Sequence, residues 1–346
     1  MANTGDPALD VLIENVDKAV AALDSYQLPP GVPVLPPPVV NPPQPPPSTG
    51  SKTEIWFSGG AATYDANYLA DLDKVKAIGA TGWRDDMWGL QLNRTTQVAA
   101  ACTARGLKLL AGVTGQCTPA NATAVATALK GKVYGYEIMN EPDLYNLYQA
   151  SPYTPAAYWA KVSPTVAALH AADPTAHIVM PATSNNHDPM QWQTQLKAAA
   201  GGPLSSHGIT GYSYHPYEAA GPNFGQVGDF PLNGVYHHDG SRTNIFATMH
   251  ANGDANCKLY LTEDGCRDRT VGGTTSNPTQ QSINCTRVVT DAHLYAAYVA
   301  ATCLFTVRNS AAMDWFGLWE TNGTAHPAVA SVKSAIVAER AAGRIA

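Results

Sequence analysis

Glu141 closes the apolar run Tyr136-Glu137-Ile138-Met139-Asn140-Glu141-Pro142, and Glu263 closes another, Leu259-Tyr260-Leu261-Thr262-Glu263. Both runs have the length and content of a buried β-strand, so each glutamate stands at the end of a rigid element. Two carboxylates that face one cleft can divide their roles, one held neutral as an acid and one charged as a nucleophile. Glycosidic bonds are hydrolysed by such a pair. A single strand-end glutamate is commonly just an ion-pair partner. The pair, in matching contexts, carries the inference.

The elements that must position these groups are legible as a repeat. Short apolar runs over 54–58, 82–87, 108–113, 133–139, 177–182, 209–215, 258–262 and 313–319 alternate with helical patterns. The helices include 68–78, 95–105, 154–172, 279–305 and 327–342. Strand and helix in alternation imply parallel βαβ units. Eight units at roughly 36 residues each match an α/β (β/α)₈ TIM barrel, whose function sits at the carboxyl ends of the strands. An open doubly wound sheet announces itself with spaced glycines after the first strand, a pattern that Ser58-Gly59-Gly60-Ala61-Ala62 lacks.

With Asn140-Glu141-Pro142 closing the fourth strand and Glu263 the seventh, the chain resembles the large clan of retaining glycoside hydrolases built on (β/α)₈ barrels. Within it, the β-xylosidase-like and cellulase-like branches look nearest. The resemblance covers Glu54 to about Ala342. It implies Glu141 as general acid/base, Glu263 as nucleophile kept ionised by Arg84 and Tyr217, Asn140 on the sugar 2-hydroxyl, and His215 in the same ring. It also implies Trp319 as a sugar-stacking residue at the end of strand eight, with Trp88 and Trp56 as weaker candidates. Tyr214 rivals Tyr217 if the register slips, and Glu137 and Glu320 receive no catalytic role. Two departures bear on sugar specificity. Cellulase-like relatives often end strand three with histidine, whereas this chain has Ala111-Gly112-Val113-Thr114, and Arg84 is followed by Asp85 and Asp86.

The six cysteines, at 102, 117, 257, 266, 285 and 303, lack zinc-site spacing. Helical and strand geometry make Cys266–Cys285 and Cys257–Cys303 feasible disulfides, with Cys102 and Cys117 left as thiols; bridges imply an extracellular setting. His237-His238-Asp239 reads as part of a loop over the cleft, spanning 218–240, rather than as a metal cluster. No metal and no cofactor are expected.

Residues 1–27 form an arm in which Leu9, Ile13, Val16, Val20 and Leu23 mark a seven-residue seam. Residues 28–50 are a linker in which 11 of the 19 residues from Pro29 to Pro47 are proline, stiff enough to extend about 60 Å. The catalytic domain is 51–346. A short amphipathic helix on a spacer suggests a homo-oligomer or larger assembly. Without a visible signal peptide, an extracellular or virion-associated enzyme degrading a cell-wall or capsule polysaccharide is the expectation. The net charge is −6 with no Lys/Arg block, against nucleic acid as partner, and no apolar run spans a membrane. A carbohydrate-binding adhesion module on the same barrel is the alternative from another class. An aldolase lacks the strand-end lysine, because Lys258 lies at the wrong end of its strand.

Overall fold

The computed structural model describes residues 52–59, 66–144, 152–184, 189–215, 235–236, 242–243, 245–269, 276–309 and 315–346. The N-terminal arm, the proline-rich linker, Tyr217, His237-His238-Asp239 and nearly all of the 218–240 loop lie outside them. Eight parallel strands close into one barrel: β1 (Glu54–Ser58), β2 (Gly82–Met87), β3 (Lys108–Val113), β4 (Gly135–Ile138), β5 (His177–Met180), β6 (Gly211–Tyr214), β7 (Lys258–Asp264) and β8 (Val299–Phe305). The helices between and after them are α1 (Tyr68–Ile78), α2 (Leu92–Ala104), α3 (Pro119–Ala128), α4 (Pro155–Ala172), α5 (Pro189–Ala200), α6 (Ile245–Ala251), α7 (Pro278–Asp291) and α8 (Pro327–Ala341). Among the described residues no helix is long and apolar enough to cross a membrane.

Local chemistry explains the punctuation. Thr118, Thr154 and Asn277 each accept a backbone N–H of the first turn of α3, α4 and α7, and a proline follows each of them. Such caps satisfy amides that have no partner within the helix. Gly79 ends α1 at φ 98°, a left-handed geometry that glycine adopts without a Cβ clash.

One strand was misplaced from sequence. The eighth strand is Val299–Phe305, not 313–319, and α7 stops at Asp291 instead of running to 305. Val299-Ala300-Ala301-Thr302-Cys303-Leu304-Phe305 is a near-continuous apolar run, as suits a strand covered on both faces. Such a run has no periodicity to separate it from the helix before it.

The barrel axis is filled by alternation. Trp56, Leu110, Val179 and Tyr260, from odd-numbered strands, share an inner cluster with Ala301 and Cys303 of β8. A methyl group on Gly82 would strike the Trp56 indole, and one on Gly211 the Tyr260 ring, so the small residues on even strands make room for large neighbours. Trp56 meets Tyr134 edge-on at 5.0 Å, and Tyr134 stacks on His177 at 4.5 Å. Glu54 accepts from Trp56 Nε1 and Thr81 Oγ1, each at 3.0 Å. This plug closes the N-terminal end of the barrel. Trp56, fully buried there, is therefore removed from the sugar-stacking candidates.

Candidate active site

At the other end the axis turns polar. On β2, Trp83 and Met87 pack outward among the helices, so Arg84 and Asp86 face the axis. On β4 Glu137 faces inward, and beyond Ile138 the chain bends sharply, with Met139 at φ 66° and Glu141 at φ 41°. Each left-handed non-glycine residue costs about 1–3 kcal/mol and persists where its surroundings enforce it. Here they do. Tyr158 Oη donates to the Ile138 carbonyl at 2.7 Å, and buried Asp143 accepts from Ser184 N and Oγ, both at 2.8 Å. The bend carries Asn140 and Glu141 over the rim. On β6, Tyr212 and Tyr214 pack against the outer layer, which leaves Ser213 and His215 facing in. Tyr214 is thus no rival for Tyr217.

Arg84 is the hub. Its Nε donates to Glu137 Oε2 at 2.6 Å, Nη1 to Glu263 Oε1 at 2.8 Å and to Ser58 Oγ at 3.2 Å, and Nη2 to Asn140 Oδ1 at 2.8 Å. Because the Asn140 oxygen is engaged by Arg84, its amide N–H₂ is left to donate elsewhere. His215 joins the glutamates: Nδ1 lies 3.0 Å from Glu141 Oε1 and 3.7 Å from Glu263 Oε2, while Nε2 reaches Thr262 Oγ1 at 3.2 Å. Those two distances from one nitrogen limit the separation of the two carboxylate oxygens to about 6.7 Å. Carboxyls about 5–5.5 Å apart serve retention, and those at about 6.5–9.5 Å serve inversion. The facing oxygens of the two glutamates are thus held on one imidazole, and the bound admits the retaining separation.

The electrostatics of the resting site run opposite to the sequence expectation. Burial raises the Glu263 carboxyl above its ordinary value, more than His215 and Arg84 lower it. Burial also works against a charged Glu141, but the hydrogen bond and charge of His215, with Arg84, outweigh it and lower the Glu141 carboxyl. Burial opposes a charge on His215 as well, yet Glu263 and Glu141 together raise its proton affinity. The Glu141–His215 hydrogen bond contributes to both of the last two shifts, with the Glu263 charge the larger influence on His215. In the resting site Glu141 and His215 share the proton that an acid catalyst must deliver. Arg84 stays charged: Glu137, Asp86 and Glu263 outweigh its burial.

The structure thus brings Arg84, Asn140, Glu141, His215 and Glu263 together. Tyr217 lies outside the described residues. Trp88 stands 41% exposed after β2. Trp319 is displaced by the corrected strand: it lies in the loop after β8, buried, with Lys74 Nζ 5.5 Å from its ring. The end of strand eight is Phe305. Glu137, given no role from sequence, is the fully buried anchor of Arg84; its inward place on an alternating strand was the available signal. Glu320 belongs to a separate loop network with Asn309 and His326. Asp268, Glu320 and His326 approach one another closely enough to suggest a metal, but Arg269 already occupies both Asp268 oxygens.

The expected disulfides are corrected too, since all six cysteines are buried thiols. Cys303 faces the barrel axis, whereas Cys257 lies in the outer layer, its thiol on the Ile209 carbonyl at 3.5 Å. The sheet separates them. The Cys266 thiol is held by Asn284 Nδ2 at 3.3 Å and Ser276 Oγ at 3.6 Å.

No family model and no curated protein matches this sequence. Solved structures do match. Native xylanase 10B from Thermotoga maritima is 11% identical with a TM-score of 0.56, over 83% of this chain and 96% of that one. A thermostable mutant of the xylanase Xyn10A from Cellvibrio japonicus is 12% identical with a TM-score of 0.56, over 83% of this chain and 98% of that one. Xylanase 10B from Thermotoga petrophila, in complex with xylobiose, is 11% identical with a TM-score of 0.55, over 83% and 95%. At such identity the likeness establishes the (β/α)₈ barrel.

Proposed function

We propose that this protein is a retaining glycosidase that hydrolyses O-glycosidic bonds of a polysaccharide or oligosaccharide by double displacement. The observation that carries the reading is the bridging of Glu141 and Glu263 by one imidazole, which holds two strand-end carboxylates within about 6.7 Å. In the first step Glu263 attacks the anomeric carbon, while Glu141 delivers the proton it shares with His215 to the departing oxygen. In the second, Glu141 takes a proton from water, which displaces Glu263 from the same face as the leaving group departed. Arg84 holds Glu263 ready, and through Asn140 it aims an amide N–H at the 2-hydroxyl, a bond that tightens as positive charge develops on the ring. The xylanase neighbours make β-linked xylan a first substrate to try.

The test is hydrolysis of aryl β-glycosides and plant and bacterial cell-wall polysaccharides, with proton NMR of the first anomer released. Release of the β anomer from a β-linked substrate is expected. Initial release of the α anomer overturns the double displacement, and glycan binding without turnover points to an adhesion module.

The N-terminal seam and proline tract support an enzyme held on an assembly, such as a virion or cell surface. Sedimentation of the full chain should show an oligomer that residues 51–346 alone do not form. A full-length monomer contradicts the anchor.

A further inference from the structure

Asp86 is a charged group of this cleft that the double displacement leaves unused. It lies on β2 one full pleat beyond Arg84 and faces the axis in register with Gly112 of β3. A methyl group on Gly112 would collide with the Asp86 carboxylate, so the missing β3 side chain is what gives that carboxylate its place. This is also the strand whose end lacks the histidine found in cellulase-like relatives.

The Asp86 side chain is half-buried, and no described residue donates a hydrogen bond to its carboxylate. Its surroundings are crowded with charge: Arg84 favours its ionised form, whereas Glu137 and Glu141 oppose it, as does burial, the largest influence. A carboxylate drawn partly out of water among other carboxylates is costly until donors fill its lone pairs. The open side of Asp86 is the cleft, and sugar hydroxyls are donors. Its position fixes which ones. Arg84 connects Glu263 at the anomeric carbon with Asn140 at the 2-hydroxyl, and Asp86 lies past Arg84 toward β3, where the ring continues.

We propose that Asp86 is a specificity-determining residue of the glycone subsite, its carboxylate accepting hydrogen bonds from the sugar hydroxyls next round the ring from the one Asn140 holds. This rests on the glycosidase reading. It selects a glycone with a free 3-hydroxyl, or 3- and 4-hydroxyls, and it rejects uronic acids, whose carboxylate would face another carboxylate.

The test uses the full chain as wild type, Asp86→Ala, Asp86→Asn and Gly112→Ala, each checked for an unchanged near-UV circular dichroism spectrum. Substrates are the dinitrophenyl β-glycosides and β-biosides of xylose, glucose and galactose, 3-deoxy and 4-deoxy analogues of those turned over, and the β-glucuronide. Hydrogen bonds to a charged acceptor are worth a factor of about 10 to 150 in kcat/KM. Asp86→Ala should lose that factor on the parent sugar and little on the analogue whose hydroxyl Asp86 binds. Gly112→Ala, which displaces the carboxylate without removing it, should show the same loss of discrimination. Asp86→Asn should raise the rate on the glucuronide relative to the parent sugar. Equal losses on parent and both deoxy analogues, or no loss at all, overturn the proposal while the glycosidase reading stands. A wild type that turns over neither these substrates nor any of the cell-wall polysaccharides overturns the glycosidase reading and this one with it.

Discussion

Replacing Arg84 with methionine removes a cation from the centre of the site while keeping most of its volume. Arg84 is 1% exposed and donates at 2.6–2.8 Å to Glu137, Glu263 and Asn140. Glu137 is the most exposed to the loss, since it is fully buried and its Oε1 already has no partner among the described residues. Breaking one side of a buried ion pair costs about 3–5 kcal/mol, mostly the penalty of leaving a lone buried charge. For a domain of this size each kcal/mol lowers Tm by roughly 2 °C, so Arg84→Met should melt about 6–10 °C below wild type. Adding Glu137→Gln removes the stranded charge, and the double variant should regain at least about 2 kcal/mol. Calorimetry of the four proteins closes the cycle, while turnover should stay low in both Arg84 variants because Glu263 and Asn140 lose their common anchor. Simple additivity of the two substitutions, or an Arg84→Met loss under about 1 kcal/mol, would refute the buried hub.

The pH profile should be a bell. Its acid limb is protonation of Glu263, which burial raises above the ordinary 4.5, so activity falls as pH drops through that raised value. Its alkaline limb is loss of the proton shared by Glu141 and His215 and should lie above the ordinary histidine value of 6.5, because the two carboxylates outweigh burial. His215→Ala should move the alkaline limb to lower pH, since a carboxyl alone then holds the proton; an unmoved limb in kcat/KM contradicts the sharing. The two tryptophans should separate. Trp56→Ala, in the fully buried plug, should cost about 3–5 kcal/mol of stability and leave kcat of the folded protein unchanged. Trp88→Ala, 41% exposed after β2, should change stability by less than about 0.5 kcal/mol and raise KM for oligosaccharides.

Much of this site was legible because its residues cap strands whose ends are marked chemically. Asn140-Glu141-Pro142 and Thr262-Glu263 each follow an apolar run, and a barrel delivers every such end to one rim. Arg84, which lies inside its strand, and His215 came instead from the resemblance to the glycosidase clan. The eighth strand escaped because a strand buried on both faces has no alternation, and that error carried Trp319 to the wrong place. Trp56 was misjudged because the type of a residue does not say at which end of the axis it lies. Glu137 was passed over although its inward place on an alternating strand pointed to the axis; closure of the barrel then brings it to Arg84 across β3. The thiols were misplaced by the eighth-strand error: once Val299–Phe305 is a strand, Cys303 sits level with the far end of β7, well beyond Cys257 and on the opposite face of the sheet.

The division of labour between Glu141 and Glu263 is tested most directly by chemical rescue. Glu263→Ala and Glu141→Ala are each incubated with an activated aryl β-glycoside and azide, and the product configuration is read by NMR. Glu263→Ala should yield the α-glycosyl azide, the anion entering where the nucleophile stood. Glu141→Ala should yield the β-glycosyl azide, formed by attack on the intermediate with Glu263. Wild-type-like hydrolysis by either variant, or the same azide anomer from both, would contradict the two-glutamate mechanism.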